Sequence, residues 1–152
     1  MSEMLGNRYF IARQFEKAIP QLEDFLDQDL NTDKIKKKLI ICYIETGNIE
    51  KAFTFFCELV KKDPKIIIDT DPYYDDCPCG ELIPNWESKL QLTQNSYGFY
   101  EVLGMLCLYC DITKSIKYFE KALPNTKNQT LITSIIKRLS DFSLQQNSNL
   151  YY

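Results

Sequence analysis

Apolar residues recur every three or four positions along almost the whole chain, which is the spacing of one face of an α-helix. The first two such segments run from about Glu3 to Arg13 and from about Phe15 to Asp27. A third begins near Asn31 and ends at Gly47, and a fourth runs from about Ile49 to Lys62. Asp63-Pro64 stops the fourth segment, because a proline disfavours helical geometry in the residue before it. The pattern predicts an all-α protein.

The first four predicted helices form two pairs that fit one template when Ala18 is aligned with Ala52. These two small residues hold the central place of the template. Large residues stand nine before, three before and four after it: Tyr9, Phe15 and Leu22 in the first pair, and Tyr43, Ile49 and Phe56 in the second. A small residue fixed among large ones indicates a point where two helices touch, so we expect both alanines there.

A third unit further along the chain fits the same template, with Ser115 at the small place. Its large residues and a second small one are Leu106, Ile112, Phe119 and Ala122. The step from Ala52 to Ser115 is nearly twice as long as the step from Ala18 to Ala52, so an extra segment, at about 67–95, separates the second and third units. Within this segment and just before it we expect a short extended piece at Ile66 to Ile68 and a short helix from Asn85 to Leu92.

The last predicted helix spans about residues 128–143 and has its apolar residues largely on one side. Its polar side, with Lys137, Arg138 and Asp141, would cover the end of a stack of helices. We expect seven main helices in total, within a single domain of residues 1–145. Residues 144–152 are short and mostly polar, and we expect a flexible tail there.

A 34-residue period with this small and large pattern resembles the tetratricopeptide repeat family. The resemblance covers about Glu3 to Pro64 and Ser96 to Lys127, with Arg13 and Cys110 at the places of a turn glycine in the first and third units. It implies a right-handed superhelical solenoid of three helical hairpins, at about 1–30, 33–66 and 96–127, closed by the last helix. It also implies a non-catalytic scaffold that binds a protein or peptide partner in a concave groove.

In this family the first helix of each repeat lines the groove. The resemblance therefore implies the groove positions Asn7, Phe10, Ile11, Lys34, Lys37, Lys38, Ile41, Ile44, Glu45, Tyr97, Tyr100 and Cys107. Lys34 and Lys37 would meet an acidic group of the partner, although a run of lysines is also typical of a solvent-exposed helix face. Glu3 and Glu101 stand where carboxylate-binding members of the family have basic residues, which disfavours binding of a chaperone's C-terminal tail.

The extra segment is acidic and aromatic. From Asp69 to Glu81 it has five acidic and no basic residues, it contains Tyr73 and Tyr74, and Trp86 follows. The simpler interpretation is that these aromatic residues pack on the neighbouring repeats. Our further hypothesis is that the segment folds back toward the basic start of the third helix and narrows the groove; that start contains Lys34, Lys36, Lys37 and Lys38.

Composition limits the classes of function. The net charge of −3 gives no reason to expect nucleic-acid binding. No apolar run approaches the ~18 residues of a membrane span, and the N-terminus lacks a basic region before an apolar core, so we expect a cytoplasmic protein. The chain has no histidine, which removes histidine acid–base catalysis and histidine-activated nucleophiles. We therefore expect no enzyme activity and no cofactor.

Six cysteines leave one alternative open. The pairs Cys77/Cys79 and Cys107/Cys110 could supply four thiolates to a zinc ion, or one pair could be redox-active. The spacing is unusual, cysteine is also a common buried residue, and no basic residue stands beside either pair to activate a thiolate. We expect no stoichiometric zinc and no disulfide under reducing conditions. The cysteine-based alternative function is therefore a four-cysteine zinc-binding or redox module. A separate alternative is an immunity or chaperone-like protein dedicated to one partner.

Overall fold

The computed structural model describes residues 3–26, 28, 32–92 and 97–149. Within these residues the chain forms nine α-helices, one 3-10 turn and no strand, which confirms the all-α prediction. The helices are α1 Glu3–Ile11, α2 Phe15–Glu23, α3 Thr32–Glu45, α4 Ile49–Lys62, α5 Lys65–Ile68, α6 Cys79–Leu92, α7 Tyr97–Cys107, α8 Ile112–Ala122 and α9 Gln129–Asn149, with the 3-10 turn at Leu123–Asn125. None of the helices among the described residues is long and apolar enough to cross a membrane.

The chain divides into two compact units, Met1–Leu59 and Val60–Tyr152, and the division falls inside α4. The single domain over residues 1–145 stays a prediction. We describe each unit separately.

The first unit contains two helical hairpins. Helix α1 packs on α2, and α2 packs on α3. Helices α3 and α4 are held together by an edge contact between the rings of Tyr43 and Phe55, 5.6 Å between centroids. The Lys36 ammonium also pairs with the Glu58 carboxylate at 2.9 Å. Short connections between α1 and α2, and between α3 and α4, make each pair antiparallel.

The two turns of the first unit have the same backbone geometry at equivalent places of the template. Arg13 has a φ of 62° and Gly47 a φ of 88°, both in the left-handed region. The amide of Gln14 donates to the Tyr9 carbonyl and that of Asn48 to the Tyr43 carbonyl, each at 2.8 Å. These bonds close a helix end in the manner of a Schellman motif. The first hairpin therefore forms the same turn with arginine that the second forms with glycine.

The small residues of the template lie in the core, as expected. Ala18, Ala52 and Ser115 are completely buried, and the Ser115 hydroxyl donates to the Gly104 carbonyl of the facing helix at 2.6 Å. No sequence motif indicates that a glycine also lies close to the facing helix in two of the hairpins. A Cβ on Gly6 would lie 2.9 Å from Leu22 Cδ2, and one on Gly104 would lie 2.8 Å from the Phe119 ring.

In the second unit, α6 packs on α7, α7 on α8, and α8 on α9. The indole of Trp86 in α6 lies 5.3 Å from the Phe99 ring in α7, in an edge-to-face arrangement. Asp111 caps α8 by accepting a hydrogen bond from the Lys114 amide at 3.2 Å. The Arg138 guanidinium of α9 donates to the Val60 carbonyl at 3.2 Å, which holds α9 to the end of α4.

Three segments differ from their predicted structure. Helix α6 begins at Cys79, so Asn85 lies inside it and does not cap it. Ile66 to Ile68 belong to the helical turn α5 and are not extended. Helix α9 continues to Asn149, so residues 144–149 of the predicted tail are helical. Because α6 is a full helix, eight helices of the described chain have nine or more residues, where seven main helices were expected.

Candidate functional site

Four of the predicted groove residues are buried and offer no surface to a partner. Phe10, Ile41, Ile44 and Cys107 are each at most 2% exposed, because they pack in the helical core. We therefore leave these four out of the candidate binding surface. The side chain of Tyr97 lies outside the part of the chain that the structure describes.

Among the other predicted groove residues of the first unit, some side chains contact another helix and some are exposed to solvent. The Lys38 ammonium donates to the Asn7 amide oxygen at 2.7 Å and lies 5.9 Å from the Phe10 ring, so it joins α3 to α1. Lys37 and Glu45 are half-buried, while Lys34 and Ile11 are exposed. The basic start of α3 is thus partly used for packing.

Helix α1 presents an exposed apolar strip. Met4 is 71% and Ile11 51% exposed, and residues seven apart in a helix lie on the same face. Single exposed apolar residues are normal on a protein surface. These two residues form a small apolar surface on the helix that the repeat resemblance places along a groove.

Tyr100 belongs to an aromatic patch on the second unit. Its ring stacks on Tyr118 with 6.3 Å between centroids, and the Lys121 ammonium lies 5.9 Å from the Tyr100 ring and 5.7 Å from the Tyr118 ring. The adjacent Glu101 carboxylate accepts a hydrogen bond from the Thr126 hydroxyl. Tyr100 and Tyr118 are only half-buried, so this patch can contact another molecule.

The aromatic residues of the extra segment differ in their burial. Trp86 is 9% exposed and packs in the core, with the Lys89 ammonium 4.1 Å from its ring centroid. Tyr73 and Tyr74 are 82% and 81% exposed, and their rings touch edge to face at 5.3 Å. The expected packing therefore holds for the tryptophan and fails for the two tyrosines, which no hydrophobic element of the described residues covers.

Hydrogen bonds fix the turn that carries the two tyrosines. The Asp71 carboxylate accepts from the amides of Tyr73 and Tyr74 at 2.9 and 3.1 Å, and the Asp75 carboxylate accepts from the Asp71 amide at 2.8 Å. We call residues 71–76 the tyrosine turn. It presents two aromatic rings beside three carboxylates. Its predicted approach to the lysines at the start of α3 stays a prediction.

Three of the four candidate metal-binding cysteines, all in the second unit, influence one another's acidity. Cys77 and Cys110 both affect the pKa of Cys79, which is the first residue of α6. Cys107 is completely buried one turn before Cys110. We call Cys77, Cys79 and Cys110 the thiol cluster.

The hydrogen bonds of the thiol cluster separate the acidities of its members. Donation from Cys77 is the main cause that lowers the pKa of Cys79 to about 6, with further donation from Cys110 and from backbone amides at the start of α6. The hydrogen bond to Cys79, followed by burial, raises the pKa of Cys77. Burial raises the pKa of Cys110 to about 11 and that of Cys107 to about 12.

The sequence offers no basic neighbour that would activate a thiolate, whereas the causes that lower the pKa of Cys79 are neighbouring thiols and backbone amides. Among the described residues, no group of three or more Cys, Asp or Glu side chains is placed to hold a metal ion. The expectation of no stoichiometric zinc stays a prediction.

A cleft of about 400 Å³ is a further surface feature of the second unit. It lies between α5, the start of α8 and the end of α9, and its lining includes Lys65, Asp69, Thr113 and Gln146. Its charged groups are of both signs and lie at its exposed edge. No motif of the sequence indicated this cleft, and its mixed lining favours no ligand class.

Comparison with known proteins adds no identification. No protein-family model matches the chain, and searches of curated proteins and of solved structures find no match either. The resemblance to tetratricopeptide repeats therefore depends on the residues and geometry described above.

Proposed function

We propose that this protein is a non-catalytic scaffold that binds a protein or peptide partner through surfaces on stacked helical hairpins. The single observation that carries the proposal is the tyrosine turn. Tyr73 and Tyr74 are more than 80% exposed in a turn that hydrogen bonds hold in place. Aromatic side chains contribute most to binding when a partner buries them, and a fixed turn loses little conformational entropy on binding.

The repeated geometry supports a stacked arrangement of hairpins in this proposal. The Lys17 ammonium lies 5.9 Å from the Tyr9 ring, and the Lys51 ammonium lies 5.5 Å from the Tyr43 ring, again at equivalent places of the template. Hairpins with the same internal geometry can stack with the same rotation at each step, which produces a superhelix. The right-handed solenoid of three hairpins is therefore the arrangement that we propose, with a groove along α1, α3 and α7.

Charge suggests the chemistry of the partner. The tyrosine turn carries three aspartates and no basic residue, so it suits a segment with lysine or arginine, whose cations also bind to tyrosine rings. On the first unit, Met4, Ile11 and the exposed Lys34 suit an apolar segment with an acidic group. We propose a partner that presents both kinds of group.

Capture of partners by the tagged full-length chain from its source cell tests the proposal. We expect the Tyr73→Ala/Tyr74→Ala variant to lose about tenfold or more of a captured protein, since two aromatic anchors each contribute about 1 kcal/mol or more. The melting temperature should stay the same, because neither ring is buried. Leu144→Ala, at another exposed apolar position, is the matched control and should capture the same protein as the wild type. Equal capture by the double variant would overturn the proposal.

A role as an immunity or chaperone-like protein is the same activity restricted to one partner. The capture experiment distinguishes the two, because a dedicated partner would be recovered alone and in equimolar amount.

A further inference from the structure

One face of α8 is basic and accessible. Lys117, Tyr118 and Lys121 lie three, four and seven positions after Lys114, a spacing that places all four on one side of the helix. The three lysines are exposed and the tyrosine is half-buried. Glu120, the one acidic residue of α8, lies on the adjacent side. We call the first four residues the lysine face, whose length is about 10 Å at the rise of an α-helix.

The lysine face combines positive charge with aromatic rings. The Lys114 ammonium pairs with the Glu87 carboxylate of α6 at 3.2 Å, so its charge is compensated. The Lys121 ammonium lies 5.9 Å from the Tyr100 ring of α7 and 5.7 Å from the Tyr118 ring. A cation held over an aromatic ring keeps its charge and can still pair with a carboxylate. The face therefore suits a segment that carries both acidic and aromatic groups.

The tyrosine turn is such a segment. It contains Asp71, Asp75 and Asp76 beside Tyr73 and Tyr74, and both rings are more than 80% exposed. The Asp75 amide donates to the Asp71 carbonyl at 2.8 Å, which coils these residues like a single helical turn. Such a turn is only about 6 Å long, so the lysine face is long enough to contact all of it. The two surfaces match in size and are opposite in charge.

A second copy of the chain brings the two surfaces together. The exposure of Tyr73 and Tyr74 shows that the tyrosine turn does not pack on the lysine face of its own chain. Every copy carries both surfaces, so two copies can exchange turns and make the same contact twice. Opposite charges favour this orientation, but exposed ion pairs contribute little to affinity. The aromatic rings therefore supply most of the binding energy.

We propose that the tyrosine turn of one copy binds to the lysine face of a second copy, and that two copies exchange this contact in a two-fold symmetric dimer. The aspartates of the turn pair with Lys117 and Lys121, and its rings pack beside Tyr118. This inference rests on the proposed function in one respect, namely that the tyrosine turn is a binding surface. It identifies a lysine-containing segment that the turn binds. Any other partner of the turn competes with the second copy.

Sedimentation velocity of the purified full-length chain, in reducing buffer from micromolar to near-millimolar concentration, tests the proposal. We expect a concentration-dependent change from monomer to dimer that is weaker at high salt, because salt screens the charges. Lys117→Ala/Lys121→Ala should raise the dissociation constant of the dimer about tenfold or more. Lys127→Ala/Lys137→Ala removes the same charge at other exposed positions and is the matched control, which should dimerise like the wild type.

Mixing two variants identifies the surfaces in contact. The Tyr73→Ala/Tyr74→Ala chain keeps the lysine face, and the Lys117→Ala/Lys121→Ala chain keeps the tyrosine turn. The first, fluorescently labelled, should bind the second at near-millimolar concentration, although neither variant dimerises alone. The mixed dimer should be weaker than that of the wild type, since one of two contacts remains. A monomeric wild type, dimerisation of either variant like the wild type, or no association in the mixture would overturn the proposal.

Failure of this inference is distinguishable from failure of the proposed function. The purified chain contains no other protein, so its dimerisation is measured independently of capture. A tagged chain that captures another protein while the purified chain stays monomeric would overturn this inference alone. Dimerisation through the tyrosine turn, without capture of any other protein, would support this inference and overturn the proposed scaffold function.

Discussion

Glycine is required at position 47 because of the backbone conformation there and not because space is lacking for a side chain. Its φ of 88° lies in the left-handed region, yet among the described residues no atom beyond its own chain neighbours lies within 4 Å of the position that a Cβ would occupy. We expect Gly47→Ala to lower the free energy of unfolding by about 1–2 kcal/mol, which is the cost of the left-handed conformation for a residue with a Cβ. Urea denaturation measures this change.

The control for this prediction is Gly98→Ala in α7. There a Cβ also has open space around it, but the backbone is helical. Alanine should be neutral or stabilise the protein by up to about 1 kcal/mol at that position, because it is the better helix former. Equal effects at the two glycines would show that the left-handed turn is not formed in solution.

Tyr43 connects three helices of the first unit and makes stability depend on pH. Its hydroxyl donates to the Glu23 carboxylate at 2.5 Å, and the Lys51 ammonium lies 3.8 Å from the same carboxylate. Burial, followed by this hydrogen bond to Glu23, raises the pKa of Tyr43 above its usual value of 10.0. Burial likewise raises the pKa of the Cys42 thiol from 9.0 to about 12.

Both groups are acids whose folded-state pKa is raised, so the stability that they contribute is complete below their unfolded pKa values. We expect this stability to decrease as the pH rises above about 9, where the unfolded chain begins to lose these protons before the folded chain does. Tyr43→Phe should reduce the decrease, whereas Tyr74→Phe, at an exposed position, should leave it unchanged. The measurement is the urea midpoint between pH 7 and pH 11. Identical slopes for wild type and Tyr43→Phe would contradict this explanation.

At the scale of helices, close packing between neighbouring helices depends on the small residues of the template. Ala52 is completely buried in α4, so a larger side chain has no space there. We expect Ala52→Leu to lower the free energy of unfolding by about 1–3 kcal/mol through overpacking, measured by chemical denaturation. Thr54→Leu adds apolar bulk at an exposed position of the same helix and should have little effect. No loss of stability in Ala52→Leu would remove the register assigned to the second hairpin.

Sequence periodicity predicted the starts of two helices correctly, since Phe15 and Ile49 are the first residues of α2 and α4. Ile112, which holds the same place in the template, is the first residue of α8. The sequence signals failed for α6, where only a short helix from Asn85 to Leu92 was expected. Burial of Leu82, Ile83 and Trp86 on one face of α6 outweighs the hydrogen bond that the internal proline removes. Local signals define a helix end only where tertiary packing agrees with them.

The candidate sites were less predictable than the helices. The family resemblance implied that Phe10, Ile41, Ile44 and Cys107 are groove residues, but all four are buried in the core. Apolar residues have the same period on a helix face that lines a groove and on one that packs in a core, so the sequence does not distinguish the two. Acidic composition did indicate that the tyrosine turn is unusual, although not that its rings are exposed.

At the scale of the molecule, the protein consists of two compact units whose boundary falls inside α4. The first unit has the regular geometry of the repeat template, and the second contains the thiol cluster and the tyrosine turn. Repeat proteins commonly use regular hairpins for stability and inserted segments for recognition, since insertions lie on one face. Our account assigns these two roles to different parts of the chain.

Hydrogen exchange of the full-length chain, with and without the protein captured in the pulldown, tests the central claim most directly. Mass spectrometry follows the amides of each peptide. We predict that partner binding slows exchange in the tyrosine turn, residues 71–76, and in α1 near Met4 and Ile11, with no change at the exposed Leu144 in α9. Slower exchange confined to α9 and the cleft beside it, with the tyrosine turn unchanged, would contradict the account.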